Sequence, residues 1–118
     1  LYLGLMALRQ RQFGKALPYL KQAAAVRPKD AEARLLLGRC YIGLGDLHQA
    51  KEELLLTSRL NASDPRSHYI LAEVYQKLQQ PADRERELAL FNKLSIAQKA
   101  KSSGVVEQQA APLQGRNE

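Results

Sequence analysis

The sequence predicts an all-α chain of stacked helical hairpins, and three observations carry that prediction. Small residues recur every 34 positions, as Gly4, Gly38 and Ala72. Large apolar residues keep the same register, with Leu3, Leu37 and Leu71 one position before them and Leu20, Leu54 and Leu88 sixteen after. Between these anchors the apolar residues fall at three- and four-residue spacing, the period of a helix packed along one face. A repeat of this length is the mark of a solenoid whose units bury their faces against one another.

The pattern predicts helices over 1–10, 14–27, 31–43, 47–60, 65–78 and 82–98, paired into repeats at 1–30, 31–64 and 65–98. The first, opening Leu1-Tyr-Leu-Gly-Leu-Met-Ala-Leu8, is apolar on all sides, as a buried helix is. In the second, Ala16 and Leu20 match Ala50 and Leu54 of the fourth. The third has an N-cap in Asp30, a broad apolar face in Leu35, Leu36, Leu37, Tyr41, Ile42 and Leu44, and Gly45 just past its end. Asp46 caps the fourth, with Gln49 placed three residues on as in a capping box. Asp64-Pro65 reads as N-cap and first residue of the fifth. The sixth carries Leu88, Leu90, Phe91, Leu94 and Ile96, more apolar surface than one neighbour needs. From 99 to 118 the composition shifts to Ser, Gly, Gln, Ala and Pro and is read as a flexible tail, a short helix over 105–111 being the alternative.

This register resembles the tetratricopeptide repeat, a helix-turn-helix unit patterned Trp-x2-Leu-Gly-x2-Tyr, then Ala-x3-Phe, then Pro. The middle copy reads Arg34-x2-Leu37-Gly38-x2-Tyr41 and Ala50-x3-Leu54, with Arg34, Leu54 and Ala62 departing from the pattern. The first keeps Leu3-Gly4, Phe13, Ala16-x3-Leu20 and Pro28; the third keeps Leu71-Ala72-x2-Tyr75 but has His68, Arg84 and Ile96 at motif positions. The resemblance covers residues 1 to about 98 and implies a right-handed solenoid, here the C-terminal part of a longer array.

It also implies a non-enzymatic scaffold or adaptor that binds a protein, peptide or partner helix in the concave groove lined by the first helix of each unit. The groove positions are Leu5, Leu8 and Arg9 in the first copy, and Glu32, Leu35, Leu36, Arg39, Ile42 and Gly43 in the second. In the third they are Arg66, Tyr69, Ile70, Glu73, Gln76 and Lys77. This lining is apolar towards the first copy and basic towards the third, which suits a partner with apolar anchors and acidic character. Pairing of Arg39 with Glu73 is the competing use of those two charges. One branch of the family clamps chaperone C-terminal carboxylates with Lys, Asn and Arg; this chain has Leu1, Leu5, Leu36, Arg66 and Ile70 there, so that clamp is excluded. The apolar first and last helices are candidate surfaces for self-association.

Other chemistries find little support. With 18 Lys and Arg against 12 Asp and Glu the net charge is +6, which admits electrostatic nucleic-acid binding as an alternative. The cations, however, are spread over every predicted helix and lack a patterned set of stacking aromatics. One cysteine excludes an internal disulfide framework, and Cys40 aligns with Met6 and Val74 at a packed position, so a buried, inert thiol is expected. His48 and His68 belong to no metal or triad spacing, and no cofactor, metal or catalytic set is expected. Gly38-x4-Gly43 lacks the Lys of a phosphate loop, and Gly43-x-Gly45 follows a predicted helix rather than a strand. Asn61-Ala-Ser63 matches a glycosylation acceptor, and Asp83 to Glu87 reads as a solvated charged face. No apolar run approaches the roughly 20 residues that cross a bilayer, and no signal peptide is visible.

Overall fold

The computed structural model describes residues 1–103 and contains six helices in chain order. These are α1 (Tyr2–Arg9), α2 (Phe13–Val26), α3 (Ala31–Leu44), α4 (Leu47–Leu60), α5 (Arg66–Lys77) and α6 (Pro81–Ser102). Successive helices pack antiparallel, as about three hairpin repeats. Beyond sequence neighbours, α3 touches α1 and α5, so the first helices of the repeats form one inner row. The body measures 59 × 32 × 24 Å, the elongated form of a stack.

The turn inside each hairpin is the same object made three times. Arg11, Gly45 and Gln79, spaced 34 apart, all have left-handed φ of 59°, 81° and 61°. Each turn is closed by two backbone bonds: in the middle copy the Gly45 N–H donates to the Ile42 carbonyl and the Asp46 N–H to that of Tyr41. This Schellman arrangement satisfies carbonyls that the end of a helix leaves unpaired. It also alters one expectation. The Asp46 carboxylate accepts from the Gln49 N–H at 3.4 Å, but its own N–H is committed to Tyr41, so the capping box is only half formed.

Asp30 caps α3 as expected, accepting from the N–H groups of Glu32 and Ala33 at 3.0 and 3.3 Å. At α5 the helix starts at Arg66, one residue after Pro65, and Asp64 accepts from the Arg66 N–H at 3.0 Å. The sixth helix runs to Ser102, so residues 99–102 continue it instead of opening the tail. Residues 104–118, including the alternative helix at 105–111, lie outside the described residues.

Within the first two hairpins the glycine of the first helix admits a leucine of the second. A Cβ at Gly4 would stand 2.7 Å from Leu20 Cδ2, and one at Gly38 would stand 2.8 Å from Leu54 Cγ. Real side chains do not approach so closely, so the helix spacing depends on the missing methyl group. Two apolar clusters follow, each joining a hairpin to the first helix of the next. One gathers Leu8, Ala16 and Leu20 with Leu36, Leu37 and Cys40; the other gathers Leu35, Ala50 and Leu54 with Leu71, Val74 and Tyr75. Fully burying such a leucine stabilises the fold by about 1.5–3 kcal/mol.

The motif's aromatic position is filled differently. Arg34 there reaches Glu53 at 3.1 Å and donates from Nε to the Pro28 carbonyl, while His68, one repeat later, meets Glu87 at 2.7 Å.

Candidate functional site

The inner row of helices encloses a cleft of about 630 Å³. Of the residues expected to line it, the fold brings together Leu8, Arg39, Ile42, Gly43, Arg66, Tyr69, Ile70, Glu73 and Lys77. Leu35 and Leu36 are a correction. They are 1% and 3% exposed, packed into the two apolar clusters, and present no surface to a partner. The reason is geometric: adjacent positions on a helix point about 100° apart, and these two turn to the flanks where neighbouring helices press. Leu5 packs against the first cluster, Arg9 stands outside the cleft, and Gln76 accepts from Arg84 Nε at 3.3 Å.

Three lining residues come from outside the first helices. Phe13 and Phe91 belong to α2 and α6, and Arg11 to the first turn. The Phe13 ring lies against Gly43, where a Cβ would overlap it, and the Arg11 guanidinium sits 5.3 Å above that ring. Phe91 meets Tyr69 at 5.0 Å between centroids, tilted by 50°. The sequence signal for them is that they are the chain's only two phenylalanines.

The charges divide into committed and uncommitted. Arg66 bonds Asp64 at 2.7 Å and Glu32 at 2.8 Å, the latter from the preceding repeat. These hydrogen bonds, Asp64 first and then Glu32, raise the guanidinium's pKa, and the same contact holds the Asp64 carboxyl below its usual range. Arg66 is thus a strut between repeats. The pairing weighed for Arg39 and Glu73 is not made; Arg11, Arg39 and Lys77 have no ion-pair partner among the described residues. Beside Ile42, Ile70 and Tyr69 they give the cleft an apolar floor with mostly cationic margins, the Glu73 carboxylate being the one unpaired anion among its described lining residues.

Cys40, fully buried, donates its thiol to the Phe13 carbonyl at 3.2 Å, and burial pushes its pKa up. That is a packed and unreactive thiol, as its register implies. Among the described residues no three His, Cys, Asp or Glu side chains converge to hold a metal, and no helix is long and apolar enough to cross a membrane.

Repeated hairpins, an inner row of first helices and an open cleft define a helical-repeat fold. Residues 7–74, more than half of the chain, match the tetratricopeptide repeat, and the chain belongs to that family. Its sequence is 32% identical over 74 residues to DnaJ homolog subfamily C member 3 of Gallus gallus, which covers 63% of this chain and 15% of that relative. Among solved structures, MamA residues 41 to the end from Desulfovibrio magneticus RS-1 superposes with a TM-score of 0.78 at 25% identity, over 80% of this chain and 54% of that one. The CopN-Scc3 complex shares the fold with a TM-score of 0.71 at 19% identity, over 75% and 52% of the two chains. The chain therefore spans about half of those structures and a small part of its sequence relative. Tetratricopeptide repeats generally mediate protein–protein interaction and are typically non-catalytic.

Proposed function

We propose that this chain is a non-catalytic scaffold that holds a segment of a partner protein, a peptide or a helix, in the concave cleft. Apolar side chains of the partner sit on Ile42, Ile70 and Tyr69, and its carboxylates face Arg39 and Lys77. The observation that carries this reading is the placement of cations without a partner beside exposed apolar surface, Tyr69 being 56% exposed. An aromatic anchor with arginine beside it is the composition of binding hot spots, and margin charges steer acidic partners.

The test is affinity capture with the parent chain and with an Arg39→Glu/Tyr69→Ala variant, matched for helicity by circular dichroism, followed by calorimetric titration of each captured partner. Binding weakened at least about tenfold by the variant, a loss of about 1.4 kcal/mol, supports the groove. Equal binding to both forms places the interaction elsewhere on the molecule.

A further inference from the structure

The charge of the chain is unevenly placed. Residues 1–29 hold six cations, Arg9, Arg11, Lys15, Lys21, Arg27 and Lys29, and no carboxylate, whereas over residues 30–118 the other 12 cations are matched by 12 carboxylates. The net charge of +6 thus stands on the first hairpin and the turn that follows it, with Arg11 among the residues of the concave cleft. A surface of this kind draws in any polyanion, an acidic tract or a nucleic acid as readily as a specific partner. One group in the cleft opposes that attraction.

Glu73 is exposed on α5, 34 positions after Arg39 on α3 and one turn before Lys77, and all three side chains line the cleft. Either cation is placed to neutralise it, and neither forms an ion pair with it. Arg66, by contrast, is held by both Glu32 and Asp64, so the fold ties down one lining charge and leaves the Glu73 carboxylate to whatever fills the cleft. A segment seated there takes water from Glu73. A carboxylate that loses water without gaining a counter-charge opposes binding.

We infer, resting on the reading of the cleft as a seat for a protein segment, that Glu73 is its specificity residue: it admits a segment that carries a Lys or Arg among its carboxylates and rejects a uniformly anionic one. The occupant's carboxylates meet Arg39 and Lys77, and its base meets Glu73. Packed neighbouring helices lie roughly 8–10 Å apart and an extended chain advances roughly 3.3 Å per residue, so a segment crossing from α3 to α5 sets the acid at Arg39 and the base at Glu73 about three residues apart. The cations supply attraction, and the lone carboxylate supplies the repulsive contact by which wrong partners are turned away.

The experiment pans a phage library of random dodecapeptides on the parent chain, on Glu73→Gln and on Arg39→Glu/Tyr69→Ala, matched for helicity by circular dichroism. Because Glu73 is exposed and makes no ion pair, Glu73→Gln keeps the fold. Peptides recovered on the parent are expected to carry Lys or Arg about three residues from Asp or Glu; those recovered on Glu73→Gln are expected to keep the acid and lose the preference for a base. One recovered peptide is then synthesised with its base and with Gln in that place. Loss of the base is expected to weaken binding to the parent at least about tenfold and to Glu73→Gln less than about twofold, the signature of a direct pair. Decaglutamate, a plain polyanion, is expected to bind Glu73→Gln at least about threefold more tightly than the parent.

The inference is overturned if parent and Glu73→Gln select the same base, if neither selects one, or if decaglutamate binds both alike; the cleft reading then stands provided that Arg39→Glu/Tyr69→Ala fails to recover the parent's peptides. Recovery of the same peptides on that double variant, or of none on the parent, overturns the cleft reading and this inference together.

Discussion

His68 Nδ1 lies 2.7 Å from Glu87 Oε1 in a pocket that leaves the carboxylate side chain 5% exposed, and the two residues sit 34 positions after Arg34 and Glu53. The position that the repeat motif gives to an aromatic side chain is therefore held in both copies by a hydrogen-bonded pair spanning the hairpin. Removing one member of such a buried pair costs more than replacing both. Glu87→Ala is expected to lower unfolding free energy by about 1–3 kcal/mol in urea titration, whereas Glu87→Gln, which keeps an acceptor, loses less. His68→Leu/Glu87→Leu is expected to sit closer to the parent than Glu87→Ala does.

The strut between repeats titrates. Hydrogen bonding from Arg66 holds the folded-state pKa of Asp64 below its unfolded value, so its contribution is complete above about pH 4 and is lost as pH falls through the folded value. Asp64→Asn is expected to be less stable than the parent at pH 7, and the difference is expected to shrink on acidification below about pH 4. Thermal unfolding of both chains across pH 2–7 checks this.

Two of the three left-handed turn residues are not glycine. Replacing Gln79, at φ 61°, by glycine removes a Cβ clash and is expected to raise stability by up to about 1 kcal/mol. Gly45→Ala, at φ 81°, is expected to lower it by about as much. Chemical denaturation of the pair gives opposite signs if the turns share one geometry.

The fit of Leu54 over Gly38 gives a coupled pair. Gly38→Ala is expected to cost about 1–3 kcal/mol by overpacking and Leu54→Ala about 2–5 kcal/mol by cavity formation. The double variant is expected to lose less than the sum, since the smaller side chain vacates the space that the new methyl group enters.

Most of the architecture was legible because it is written locally. Asp30, Gly45 and Asp46 mark helix ends by chemistry that acts within a turn, and the 34-residue step of Gly4, Gly38 and Ala72 marks where helices cross. The groove was read less completely. Leu35 and Leu36 share the apolar face of α3 with Ile42, but which residues stay uncovered depends on how α2, α4 and α5 press on that helix, and periodicity does not carry that information. Phe13 and Phe91 reach the cleft from second helices, a tertiary outcome that reading the first helices alone misses. Arg66 lines the cleft as its register predicts and is in addition tied to Glu32 and Asp64, pairings that periodicity alone does not display.

The length of α6 has its own consequence. The stretches at 27–30 and 61–64 break the chain between hairpins, yet at 95–98, one step later, the backbone is still helical and stays so to Ser102. A hairpin in the same step needs its first helix to begin near 99, where α6 has not yet turned. The described stack thus has unlike ends: α1 opens in step with the 34-residue rhythm, while α6 is a rod that runs on through the place where the two earlier hairpins turn.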